Sequence, residues 1–192
     1  MKNNAQTTTG KNTRHSYVNV FEAISQNGGK PKYSDQLIIS KDDTETIDGI
    51  SKAIEAAYEN GKNKLMGANG QIPPLSALRT PLRDGDLERP GDPIYKNCYF
   101  INARNPKPPI IVGSDKHPIT EPSEFFSGCY GRACISFYIY NANGNRGIAC
   151  SLLAIQKTAD GEPLGGSVVN LNKVFPDESA SEDSEYDDFM FE

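Results

Sequence analysis

The sequence has no tryptophan, two histidines and four cysteines among 192 residues, and no lysine or arginine after Lys173. Each shortage removes a class of protein. Cys98, Cys129, Cys134 and Cys150 stand 31, 5 and 16 positions apart, without the close pairing of a zinc knuckle. A zinc site completed by His117 is therefore disfavoured, and the thiols are expected to pack as small apolar groups in a reducing compartment. His15 and His117 lie in separate parts of the chain. There is no GxSxG, no HExxH and no phosphate-cradling loop closing on Lys-Ser/Thr, so catalysis has no visible machinery. No stretch approaches the roughly 18 apolar residues of a membrane span. The opening MKNNAQTTTGKN lacks the apolar centre of a secretory leader. The expectation is a cytoplasmic protein that is not an enzyme and has no cofactor, metal or membrane partner.

What is present is divided unevenly. The net charge of -5 conceals a split at Pro176: residues 177–192 hold eight of the 25 acids and no base, leaving 17 acids against 20 bases in the rest. A body of charge +3 carries an acidic appendix. With 36% apolar residues and a mean hydropathy of -0.57, the chain suits one globular domain. The polar, Asn- and Thr-rich residues 1–13 read as a flexible arm, residues 14–176 as the domain and residues 177–192 as a disordered tail.

Periodicity outlines the domain. HSYVNVF (15–21) and YSDQLIIS (33–40) read as strands around the turn residues SQNGGKPK. From Thr44 the period changes, with Ile47, Ile50, Ile54 and Tyr58 three or four apart; Asp43 or Thr44 is placed to cap a helix and Gly61 to end it. Residues 61–93 read as a long surface loop. Its Asp84, Asp86 and Glu88 suit local ion pairs better than a metal, because Arg83 and Arg89 flank them. IYKNCYFINAR (94–104) reads as a third strand, PKPPIIVG (106–113) as an edge segment and EPSEFFSG (121–128) as a short helix or turn. RACISFYIYN (132–141) and GIACSLLAIQKT (147–158) then flank Asn143-Gly144, a pair that tolerates the positive φ of a tight hairpin. The expected fold is mainly β, α+β by content: a five-stranded OB-type barrel with one long helix inserted after its second strand.

Successive strand residues face opposite ways, so alternation sorts each strand into two surfaces. On 132–141, Ala133, Ile135, Phe137 and Ile139 form a core face, opposite Arg132, Cys134, Ser136, Tyr138 and Tyr140. On 94–104, Lys96, Cys98, Phe100, Asn102 and Arg104 share one side. The last strand looks buried on both faces. Rings and cations on one surface are what a single-stranded nucleic acid needs: bases stack on the rings and Lys or Arg follows the phosphates. Phe100, Tyr138 and Tyr140 are the expected stacking groups. Lys96, Arg104, Arg132 and Arg146 are the expected phosphate contacts, with Lys107 and Tyr130 close to the same elements. The competing reading has the rings covering the far side of a small barrel or resting under the 61–93 loop.

The tail bears on that choice. Its acids mimic a polyanion and would compete with DNA for a basic groove, while Tyr186, Asp187, Asp188, Phe189, Phe191 and Glu192 offer aromatic anchors among acids for a protein partner. YFINAR with its proline-rich continuation (99–109), EFFSGCYGRACISFYIYNANGNRGIACSLLAIQKTADGEPLGG (124–166) and the aromatic-ended acidic tail together resemble phage-encoded single-stranded-DNA-binding proteins with an OB fold, many known only as a domain of unknown function. The resemblance implies a replication and recombination accessory protein. It would coat single strands in the host cytoplasm, form a homodimer and contact DNA polymerase or other replication proteins through its tail. The alternative is an acidic-tailed interaction adaptor or DNA mimic without DNA binding of its own, which would not need the basic, aromatic strand faces.

Overall fold

The computed structural model describes residues 4–165. Its strands are β1 (Gln6–Thr8), β2 (Thr13–Ile24), β3 (Lys32–Ser40), β4 (Arg83–Asp84), β5 (Cys98–Asn105), β6 (Ile110–Val112), β7 (Tyr130–Ala142) and β8 (Asn145–Ala159). The helices are α1 (Thr44–Gly61) and the single turn α2 (Gly85–Glu88). They form one mostly antiparallel sheet in the order β4-β5-β3-β2-β7-β8-β6, with β1 paired to β7 and only β6 parallel to its neighbour. The sheet is open between β5 and β8, where Asn105 Nδ2 donates to the Leu152 carbonyl at 2.9 Å. That side chain draws the two strands together around the core. The five long strands and single long helix are those expected, and the 106–113 segment supplies the edge strand β6.

Local chemistry explains most elements. Asp43 caps α1 by accepting from Thr46 N–H, and α1 buries Ile50, Ala53, Ile54 and Ala57 against the sheet. Gly61 ends the helix for a different reason from the one expected. Its φ is -122° and the chain continues into a 3-10 turn; a Cβ there would lie 2.8 Å from Ile139 Cγ1, so the small residue lets α1 close on β7. Asn143 and Gly144 adopt φ of +52° and +82° and turn the β7–β8 hairpin.

Several expectations need correction. Residues 4–13 are not a loose arm, because β1 pairs with β7, Thr9 is fully buried and Gly10 N–H donates to Thr46 Oγ1 at the start of α1. Part of the 61–93 loop is structured: β4 pairs with β5, and Ile148 N–H bonds the Arg79 carbonyl. Its acids are spent on cations, Asp84 and Asp86 on Lys41 and Glu88 on Arg83. Residues 121–128 form turns. Strand β8 has a single core face rather than two. A bulge at Leu153, where Cys134 opposes Ala154 but Ile135 opposes Leu152, restores Ile155 to the side of Ile148, Cys150 and Leu152.

Candidate nucleic-acid interface

The outer face of β2, β3 and β5 carries a continuous polar groove. One cleft of about 230 Å³ is lined by Tyr17, Asn19, Gln26, Ser34, Asp35, Gln36, Arg89, Asn102 and Arg104. A second, of about 150 Å³, shares Gln26, Ser34 and Arg104 with it and adds Ile24, Gly29, Lys30 and Lys32. Four cations therefore border the groove. The acid among these lining residues, Asp35, has its carboxylate fully buried and bonded to His15 Nδ1 at 2.5 Å. Burial raises the Asp35 pKa and the nearby His15 opposes the rise. The imidazole also packs edge-on against Phe125, with ring centroids 5.0 Å apart. This interior pair is polar where its surroundings are apolar.

Tyr17 enters the groove through a break in the strand period. The β2–β3 register shifts between Ser16 and Asn19, and Tyr17 takes a φ of +48°, costly for a bulky L-residue. The result is a ring that is 61% exposed. Asn19 Nδ2 donates to the Tyr17 carbonyl at 3.1 Å and to Ser34 Oγ at 3.3 Å, holding the bulge. Strain stored beside a cleft is a common mark of a working surface.

The groove floor is a row of polar side chains on adjacent strands. Tyr95 Oη donates to Gln36 Oε1 at 2.5 Å, and Gln36 Nε2 donates to Asn102 Oδ1 at 2.9 Å. Tyr95 is buried, and desolvation raises its phenol pKa. The Arg89 guanidinium lies 5.3 Å from the Tyr95 ring and lines the cleft itself. Cation, ring and amides thus support one another from the 89–95 segment to the sheet.

The residues singled out in the sequence fall at separate places. Arg104 is central, shared by both clefts. Lys96 is exposed on the neighbouring 90–96 segment, where it lines a cavity with Arg89, Pro90 and Pro93. Phe100 follows the competing reading: it is fully buried beneath the 83–95 segment, packed edge-on against Tyr95 and covered by Arg83 at 4.8 Å. It has no open face for a base. Lys107 is exposed just beyond β5, its N–H bonded to Asn105 Oδ1. Tyr130 packs under the Arg14 guanidinium at 5.5 Å.

Arg132 faces the N-terminus of α1, in a cleft lined by Asp43, Glu45 and Asp48, where three acids oppose a phosphate. Tyr138 is 44% exposed on β7. Tyr140 is half-buried, its ring occupying the space a side chain at Gly147 would need. Arg146 donates to the Leu65 carbonyl at 3.2 Å and lines a cleft with residues 67–74. The tail residues Tyr186, Asp187, Asp188, Phe189, Phe191 and Glu192 lie outside the described residues.

Sequence reasoning passed over Tyr17, Gln36, Arg89, Lys30 and Lys32. The lysines sat inside a stretch read only as a turn, and Arg89 inside one read only as a loop. A signal for the floor was available: Asn102 interrupts an otherwise apolar run in β5, and Gln36 borders the apolar run 37–39 in β3. Among the described residues no three His, Cys, Asp or Glu side chains are grouped to hold a metal, and no helix is long and apolar enough to cross a membrane.

Comparison with known proteins places the fold and the family. The single-stranded DNA-binding protein of bacteriophage Enc34, solved in complex with ssDNA, superimposes with a TM-score of 0.69 at 27% identity, over 86% of this chain and 95% of that one. Gp2.5, a single-stranded DNA-binding protein encoded by bacteriophage T7, shares the fold with a TM-score of 0.57 at 16% identity, over 85% and 96% of the two chains. Putative protein p50 of Acyrthosiphon pisum secondary endosymbiont phage 1 is 29% identical over 177 residues, 91% of this chain and 95% of its own length. The family model described as Enterobacter phage Enc34, ssDNA-binding protein, matches residues 5–188. The chain therefore belongs to the family of the Enterobacter phage Enc34 ssDNA-binding protein.

Proposed function

We propose that the protein binds single-stranded DNA without strong sequence preference along the β2–β3–β5 groove. The observation that carries this reading is the juxtaposition of an exposed, strained ring, Tyr17, with Arg89, Arg104, Lys30 and Lys32 around one polar cleft. A base stacks on the ring while the cations follow the phosphates. Family membership and the ssDNA complex of the Enc34 protein support it. Lys96 and Lys107 extend the basic border beyond the groove. The outer face of β7, with Tyr138, Tyr140 and Arg146, is a weaker second surface.

The acidic residues 177–192 act as an internal competitor for the groove and as a hook for replication proteins such as a DNA polymerase. That part rests on composition: eight acids, no base, and Phe189 and Phe191 at the end. A homodimer in the host cytoplasm fits the same reading. The test is the affinity for labelled oligo(dT) at several salt concentrations, with the full chain and with a truncation after Pro176. Tighter binding by the truncation supports the whole scheme. Equal binding removes the competition and leaves the groove, whereas no binding by either at low salt overturns the reading in favour of an adaptor without intrinsic DNA binding.

A further inference from the structure

The groove floor has a direction. Tyr95 Oη donates to Gln36 Oε1, so the amide oxygen of Gln36 faces the phenol. Once Gln36 accepts from the phenol, its nitrogen is the end left to donate, and it donates to Asn102 Oδ1. With Oδ1 turned to Gln36, the Nδ2 donors are the end of Asn102 left to face the cleft that it lines. Tyr95 and Gln36 are buried, so the relay is shielded from competing water, and Arg89 braces the Tyr95 ring.

Building on the proposed DNA groove, we infer that Asn102 is a base-reading residue that donates to the exocyclic carbonyl oxygen of a base held there, with Tyr95 and Gln36 as the positioning residues that fix its orientation. Thymine, cytosine and guanine carry such an oxygen, and adenine does not. A nearly sequence-independent surface then has a built-in bias against adenine. An uncharged amide displaces no counterion, so this contribution is separate from that of Arg104 and its neighbours and leaves the salt slope unchanged.

The test compares the full-length wild-type protein with Asn102→Ala, Asn102→Asp and Tyr95→Phe on oligo(dT), oligo(dC) and oligo(dA) of equal length at one salt concentration. Folding is checked by thermal unfolding. Removing one neutral hydrogen bond lowers affinity roughly two- to tenfold per site. The expected result is that loss for Asn102→Ala on oligo(dT) and oligo(dC), with oligo(dA) unchanged. Asn102→Asp keeps the acceptor for Gln36, removes the donor and adds a negative charge to the groove, so it lowers affinity for all three strands and most for oligo(dT) and oligo(dC). Tyr95→Phe frees the Gln36 amide to turn over and gives a smaller loss, again selective for the carbonyl-bearing strands.

An equal loss on all three strands in Asn102→Ala would make Asn102 a backbone contact and overturn the inference. So would wild-type affinity in folded Asn102→Ala and Asn102→Asp, and in both cases the DNA groove itself would stand. Failure of the wild type to bind any of the strands would instead bring down the groove and this inference together.

Discussion

Two outward faces of one sheet look alike in the sequence and differ in the structure. The face of β7 presents Tyr138 and Tyr140 in alternation above Ile135, Phe137 and Ile139, an apolar core of ordinary kind. The face of β2, β3 and β5 presents a groove in which the ring comes from a bulge, the cations from turns and strands alike, and the floor from buried amides. Beneath it sits the buried His15–Asp35 pair. The regular face follows its strand period, and the irregular one concentrates strain, burial of polar groups and positive charge. Departures from local regularity cost stability, and here they converge on the surface with the best means of holding a polyanion.

The sharpest test of that contrast is the buried pair. His15→Leu leaves the Asp35 carboxyl buried without its partner and is expected to lower stability by about 3–5 kcal/mol in urea unfolding. Replacing both residues by apolar ones should recover much of that loss. A single substitution that costs no more than a surface change would show that the groove rests on nothing special.

Next in size is Tyr17. Tyr17→Ala should weaken oligo(dT) binding by about 1–3 kcal/mol. Tyr17→Gly should weaken it similarly while stabilising the fold by up to about 1 kcal/mol, because glycine adopts positive φ without strain. Weaker binding coupled to lower stability in the glycine variant would contradict the strained-ring account.

Arg104→Ala probes the cations. The log-log salt dependence of binding should flatten by about 0.7, the share of a single phosphate neutralised on a single strand. Arg132→Ala, among the acids of the α1 cleft, should leave the slope at its wild-type value. Equal slopes in the two variants would erase the distinction between the faces.

The smallest effect is expected at Tyr138. Tyr138→Ala should change binding by less than about 0.5 kcal/mol, as an ordinary surface substitution does. A loss as large as that of Tyr17→Ala in titrations of the folded variants would return the β7 face to the interface.

Much of the architecture was legible because it is written in neighbouring residues. Asp43 lies three positions before the Thr46 amide that it caps, Asn143-Gly144 can take the two positive φ values of the hairpin, and the alternation of Ala133, Ile135, Phe137 and Ile139 names the core face of β7. The same reasoning reached Arg104, an outward cation on β5. It missed Tyr17, because a bulge is set by the register of β2 against β3 and leaves no mark in the period of β2 alone. It took Phe100 for an exposed ring, since alternation places a side chain on a face without saying what lies over that face; the 83–95 segment does.

The sequence by itself determined where the helix and the hairpin begin and end, which side of β7 is apolar, and that the charge divides into a basic body and an acidic end. These depend on interactions within a few residues. Only the tertiary structure decided which outward faces adjoin, which rings stay open and which way the amides of Gln36 and Asn102 point. Those outcomes depend on partners far apart in the chain, such as Gln36 and Asn102, 66 positions from each other, whose meeting no local pattern encodes.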